Sequence, residues 1–526
     1  MLALKVMWTL NKSINTRFFP KKILEKNIFR FFLAKVVLLA ITGCSGLPYY
    51  RAESNIHRLV EQRSGGDVVW ASNVNNAKTE ALIDELLKQQ PLTLQGATQI
   101  ALLNNPRMQL EYARLGISKA DLYEAGRLSN PTLSLTALNP KEAGASRKLD
   151  IGISQSFADL LLLPSRKRMA LGEYERTQQF IADEILKLTA DVHAAWYSLA
   201  GAQQIEQMRT LVAQSAQNSA ELAKQFHVAG NISRLQLQLE EASATQARLE
   251  AMRARAEATG SRFALQQLLG FSATTNPWNA PNRLPAPIAE EENEDTLIAL
   301  AHEQRLDLAA TKKEVALLEQ SLGLTKRYRW LGQVEVGVAM ERETDRTKLY
   351  GPNLSLQLPI FNQGKGSVIR AQALVEQSRA RLQLLEQEID NKVRWKVAHI
   401  KIIRSIVEKY RTALIPQREA VVAHTQENVN FMLMGVFELL VAKQQEYDAY
   451  QGYIEAVRDY WLARVELMRA LGTRLPNDSK ATEPTIGPED LITPLSGERS
   501  PHVEHQHSAD QKKPQRNQEH HHGEKP

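Results

Sequence analysis

The sequence predicts a mixed α/β membrane protein made of two internal repeats, each joining long helices to one amphipathic β-hairpin. Three observations predict it. Short motifs of the first half recur in the second, two stretches of about 65 residues run nearly free of proline and glycine, and alternating apolar runs precede each of them. No apolar run reaches about 18 residues, which excludes a helical multi-span protein.

The chain has 526 residues, a formal charge of +6 and one cysteine, which excludes an internal disulfide framework and any Cys-cluster metal site. The charge is local. Lys5, Lys12, Arg17, Lys21, Lys22, Lys26, Arg30 and Lys35 stand against Glu25 alone in residues 1–43, so the chain from Cys44 onward is close to neutral. Nothing in it calls for a nucleic-acid partner. The basic stretch leads into Val36-Val37-Leu38-Leu39-Ala40-Ile41-Thr42 and then Gly43-Cys44, the order of a secretory signal segment. The ending Leu39-Ala40-Ile41-Thr42-Gly43-Cys44 resembles a bacterial lipoprotein signal, which implies that Cys44 is lipidated and becomes the first mature residue. Acyl chains there would anchor that terminus by about 0.8 kcal/mol per buried CH₂. Residues 44–91 are then an N-terminal extension.

The first repeat, 92–272, opens with a helical pattern from Thr93 to Leu128, with Thr93 as the N-cap. Its hairpin, 131–157, alternates through Leu133, Leu135 and Ala137 and again through Ile151, Ile153 and Phe157. A long helix from Ser165 to Val228 follows. Ile181, Ile185, Leu188, Val192, Ala195 and Leu199 step by four and three, a seven-residue seam that needs a partner helix along its length. His193, Trp196 and Tyr197 read as packing residues. A break near Gly230 leads to a return helix, Ile232 to Leu269.

Residues 273–292 form a linker, and the second repeat, 293–472, repeats the order. Its hairpin, 331–360, carries Val334, Val336, Val338 and Met340, then Leu354, Leu356 and Leu358. Its long helix, Gly366 to Asn430, has the seam Leu382, Leu385, Ile389, Val393, Val397 and Ile400, with a bend expected at Pro416. Its return helix, Val436 to Leu471, bears Tyr447, Tyr450, Tyr453, Tyr460 and Trp461 as a packing stripe. Three matches align the halves. Ala101 to Met108 corresponds to Ala301 to Leu308, Phe226-x₃-Gly230-x₄-Leu235 to Phe431-x₃-Gly435-x₄-Leu440, and Leu269-Gly270 to Leu471-Gly472. Each long stretch would span about 95–100 Å at 1.5 Å per residue.

From 473 the chain turns Pro-, Gln- and His-rich and reads as a largely disordered tail. His502, His505, His507, His520, His521 and His522 make it a candidate for weak binding of divalent metal. No nucleophile–base arrangement, Gly-rich phosphate loop or pair of acids on one helix face asks for catalysis, and no cofactor is implied.

The chain resembles the TolC-like outer-membrane efflux protein family. The resemblance rests on Ala101…Asn105-Pro106, on Asp191-Val192-His193-Ala194-Ala195-Trp196-Tyr197, on the turns at 226–235 and 431–440, and on Leu356-Gln357-Leu358-Pro359-Ile360-Phe361 followed by Asn362-Gln363-Gly364-Lys365-Gly366. It covers about residues 92 to 472, with Leu306 standing where proline is common. It implies a homotrimer whose protomers each give four strands to a shared β-barrel and long helices to a periplasmic α-helical tunnel. The lipoprotein-like ending of the leader implies a lipid anchor at Cys44, and Ser45 after it fits an address in the cell outer membrane. The partners would be outer-membrane lipids, a periplasmic adaptor and an inner-membrane pump of resistance-nodulation-division type. The tip near Gly230, Arg234, Gly435, Phe437 and Glu438 would gate the duct or dock the adaptor. The tail histidines point to heavy-metal cations as cargo; drugs, organic toxicants or peptides are the alternative. A non-channel coiled-coil envelope lipoprotein would explain the helices without a pore.

Overall fold

In the computed structural model the residues described are 52–64, 76–141, 146–272, 278–279, 281, 283–288, 290–330, 334–476 and 485. Cys44 and the six tail histidines lie outside them. Two short helices, α1 (Ala52–Ser64) and α2 (Asn76–Lys88), precede α3 (Leu94–Asn104) and α4 (Pro106–Ala125). The strands β1 (Thr132–Leu138) and β2 (Lys148–Ser156) come next, then α5 (Phe157–Val228) and α6 (Arg234–Leu268). The same order follows in the second half: α7 (Glu294–Gln304), α8 (Leu306–Tyr328), β3 (Val334–Arg342), β4 (Lys348–Leu356), α9 (Lys365–Lys409), α10 (Ile415–Asn430) and α11 (Val436–Leu471).

Local chemistry sets the boundaries, and several differ from the sequence expectation. Thr93 caps α3 as expected, its hydroxyl accepting from the Gly96 amide. The single helix from Thr93 to Leu128 is instead two, because Asn105 precedes a proline and is pushed to extended backbone (φ −72°, ψ 122°). Asn105 ends α3 and caps α4, accepting from the Arg107 amide at 2.8 Å. The second half breaks at Arg305 without a proline; Arg305 Nη1 donates to the Ala470 carbonyl at 2.7 Å and its fork grips Asp307. Phe157 belongs to α5 rather than to the strand, and Leu358 lies past the end of β4. α5 starts at Phe157, not Ser165, since Ser156 caps it and Pro164 is carried inside. Its 72 residues span about 108 Å. Where the sequence predicts a bend at Pro416, the structure has a π-turn over Tyr410–Leu414, which widens the helix just ahead of the proline ring.

Both seams are buried except at Ala195, Leu382 and Leu385, which are half-buried at their margins. Ile181, Ile185, Leu188, Val192 and Leu199 join α1–α3 in one core. Ile389, Val393, Val397 and Ile400 join the aromatic stripe of α11 in another. Tyr197 and Trp461 stack at 5.0 Å between centroids and tie α5 to α11. Around this level the chain's connections gather. Trp461 Nε1 donates to the Pro285 carbonyl, Arg464 pairs with Glu291, and buried Gln204 bonds both Leu284 and Thr485. Thr473, Leu475 and Thr485 are all buried, so the stretch read as disordered from 473 is docked at its beginning.

Candidate functional site

The four strands form one antiparallel sheet in the order β1-β2-β3-β4, so the two hairpins pair with each other through β2 and β3. Register puts Leu133, Ile153, Val338 and Pro352 in one row and Leu135, Ile151, Met340 and Tyr350 in the next, all on one face. The opposite face carries Thr132, Ser154, Gly337 and Asn353, then Ser134, Gly152, Ala339 and Gly351. That face also holds an ion pair between Lys148 and Glu341, with Glu343 at 3.7 Å. Gly337 is required there: a Cβ would lie 2.4 Å from the Ile153 carbonyl oxygen. The apolar face is open rather than packed; Leu133, Leu135 and Leu354 are each about two-thirds exposed. β1 and β4 remain edges, with their outer backbone groups unused by the sheet. A sheet with one bare apolar face, one polar face and two open edges is suited to lipid on one side and water on the other once its edges are joined.

At the far end of the helices, α5 turns into α6 and α10 into α11. Gly230 closes the first turn at φ +77°, with Asn231 N donating to the Phe226 carbonyl and Gly230 N to that of His227. In the second turn the same two bonds run from Leu433 N to Asn428 and from Met432 N to Val429. The left-handed residue is therefore Met432 (φ 57°), and Gly435 (φ −82°) is the helix N-cap. This corrects the alignment of Gly230 with Gly435. By backbone, Gly230 matches Met432 and Ser233 matches Gly435, the offset that Leu269-Gly270 and Leu471-Gly472 also keep. The Phe-x₃-Gly coincidence is shifted by three residues from the true register.

The expected tip residues are not one cluster. Gly230 and Arg234 are exposed at the first turn. Phe437 and Glu438 line a crevice of 550 Å³ between α5, α6 and α11 with Gln236, Glu240 and Tyr447. Glu438 folds back over Gly435, its Oε2 standing 2.5 Å from where a Cβ would sit. Among the described residues neither Arg234 nor Glu438 makes an ion pair, so a latch between them is absent within one protomer. Burial raises the Glu240 carboxyl pKa, opposed by a hydrogen bond from Ser219 Oγ at 3.1 Å. The tip feature missed from sequence is apolar: Phe431, Met432 and Leu433 project bare, Met432 being 94% exposed. The run Phe431-Met432-Leu433-Met434 between two helices was the signal for it.

His193, Trp196 and Tyr197 do pack. Trp196 Nε1 donates to the Leu92 carbonyl at 2.9 Å, and burial lowers the His193 pKa to about 4.

In sequence, no family model and no curated protein matches the chain. In structure it is similar to the CmeC outer membrane channel of Campylobacter jejuni (TM-score 0.59, 15% identity, 73% of this chain and 86% of that one). It is also similar to a membrane protein from Pseudomonas aeruginosa (0.60, 19%, 77% and 96%). A third likeness is to CusC, described in terms of folding and transmembrane channel formation (0.58, 14%, 72% and 92%). The chain has the fold of these proteins: long helices joined to a four-stranded antiparallel sheet.

Proposed function

We propose that the protein is the outer-membrane channel of a tripartite efflux system, performing no covalent chemistry. The two-faced sheet carries this reading. Its nine-residue strands β2, β3 and β4 are long enough to cross a bilayer when tilted, and its open edges need further copies. Three protomers would close a twelve-strand barrel and place the long helices side by side as a periplasmic tunnel. The repeated element order supports a duplication over residues 92–272 and 293–472 joined by 273–292. So does a shared contact, in which Asn105 Nδ2 donates to the Leu268 carbonyl and Arg305 Nη1 to that of Ala470.

In this reading Cys44 carries the lipid anchor, and the tips dock a periplasmic adaptor that links the duct to a pump of resistance-nodulation-division type. The bare Phe431-Met432-Leu433 tip supports docking better than an ionic latch does. Cargo is read as drugs or other organic toxicants, because the fold supports a general duct. The heavy-metal reading rests on His502, His505, His507, His520, His521 and His522 alone.

Purified protein in planar bilayers tests the channel. Discrete conductance steps are expected; a silent bilayer with inserted protein would overturn the reading in favour of a pore-less envelope tether. Deleting the gene and challenging cells with drug and metal panels separates the cargoes. Drug sensitivity with unchanged metal tolerance is expected.

A further inference from the structure

Midway along the helices, α5, α9 and α11 enclose a cavity of 650 Å³ whose chemistry the channel reading does not use. That volume suits a small-molecule ligand. Its lining carries seven Lys and Arg side chains and two carboxylates, Asp183 and Glu466. The balancing acids largely sit behind the wall. Asp307 holds Arg305 at 2.5 Å and Asp191 holds Arg469 at 2.6 Å, and neither carboxylate lines the cavity. Lys187 is fixed between Asp183 and Glu184, each at 2.8 Å. Glu466, in the lining, stands 3.4 Å from Lys396 and 3.8 Å from Arg469. The cations thus outnumber the acids of the lining and are already held in place, which lowers the cost of arranging them around a guest.

Arg63 sharpens the point. It is buried, donates Nε to the Gln304 carbonyl at 2.7 Å and Nη1 to that of Leu59 at 2.9 Å. Burial pushes its guanidinium below the ordinary arginine range, with Glu303 only partly opposing. A buried cation held mainly by carbonyl dipoles gains from an anion at the cavity side. Trp395 adds an aromatic wall, with Lys396 Nζ 4.2 Å from its ring centre.

We propose that this cavity binds a small multivalent oxyanion bearing phosphate or carboxylate groups. The proposal goes beyond the channel reading and does not rest on it.

The test is titration calorimetry on the full-length protein in detergent, with inorganic pyrophosphate and citrate as probes at fixed ionic strength. Saturable binding of either, with Kd below about 1 mM, is expected. The response tells phosphate from carboxylate chemistry. Lys392→Ala with Lys396→Ala should weaken binding at least tenfold, whereas Lys396→Arg should keep it. Circular dichroism and elution volume check that each variant is folded and assembled. No saturable heat for either probe up to about 10 mM, or equal affinity in the folded double-alanine variant, would overturn the proposal.

Discussion

Gly230 and Met432 hold the same left-handed backbone at the two helical tips, and only one of them does so without a Cβ. For an L-residue that conformation costs about 1–2 kcal/mol, so the second tip carries strain that the first avoids. Gly230→Ala should loosen the first turn by about 1 kcal/mol, and Met432→Gly should tighten the second by up to about 1 kcal/mol. Amide exchange of Asn231 and Leu433, the donors of the turn-closing bonds, reads both effects. Gly435→Ala, at an ordinary φ of −82°, asks only that the Glu438 side chain move. If Gly435→Ala disrupted its turn as much as Gly230→Ala, the three-residue shift between the tips would be wrong. His193 offers a second measurement. Its pKa is lowered to about 4 in the folded chain from 6.5, so between those values the unfolded state binds more protons. Stability therefore falls as pH drops from about 6.5 towards 4, by up to about 3 kcal/mol. Denaturant midpoints at pH 7 and pH 4.5 should differ less in His193→Gln than in the parent.

At the scale of elements, the helical seams and the strand alternation were legible because each is a local period. Leu133 and Leu135 point the same way in any strand, and Ile181 through Leu199 face one side of any helix. The pairing of β2 with β3 was not legible: Ile153 meets Val338 only after the intervening helices have returned, and nothing local encodes that register. The tips misled for a related reason. Phe226 and Phe431 look equivalent in sequence, yet cap geometry sets the register, and only Leu269-Gly270 against Leu471-Gly472 carried the right offset. The sheet's two faces then give an asymmetric test. Leu135 lies on the apolar face and Thr136 on the polar one, one residue apart. In the barrel reading, Leu135→Lys puts charge against lipid and should destabilise by about 2–4 kcal/mol, seen as slower or incomplete folding into liposomes. Thr136→Lys should leave folding intact and shift the reversal potential towards anions in a salt gradient. Equal folding defects from both would mean that neither face meets water.

At the scale of the whole molecule, the described chain leaves one region finished and another unfinished. The middle is finished: Gln204, Leu284, Thr485 and Trp461 knit the linker and tail to the long helices. That knot was hidden from sequence reasoning because the linker and tail have no periodicity to read. The sheet end is unfinished, with apolar surface bare and β1 and β4 unpaired on their outer sides. In the barrel reading, free edges in lipid would leave backbone donors and acceptors without partners, at several kcal/mol each, so that reading requires β1 of one copy to meet β4 of the next. Ser134 in β1 and Asn353 in β4 lie on the same polar face of the sheet. Cys44 is the only native cysteine and in the channel reading its sulfur is taken up by the lipid anchor, so a Ser134→Cys, Asn353→Cys pair reports cleanly. Because the join's register is not given by one protomer, Ser355→Cys serves as the neighbouring alternative on the same face of β4. Oxidation in membranes should convert the chain to a covalent trimer on non-reducing gels for one of the two pairs, passing through a dimer. Either single variant should stay monomeric. A ladder beyond three would mean a larger ring, and monomer from both pairs would mean that these edges never meet.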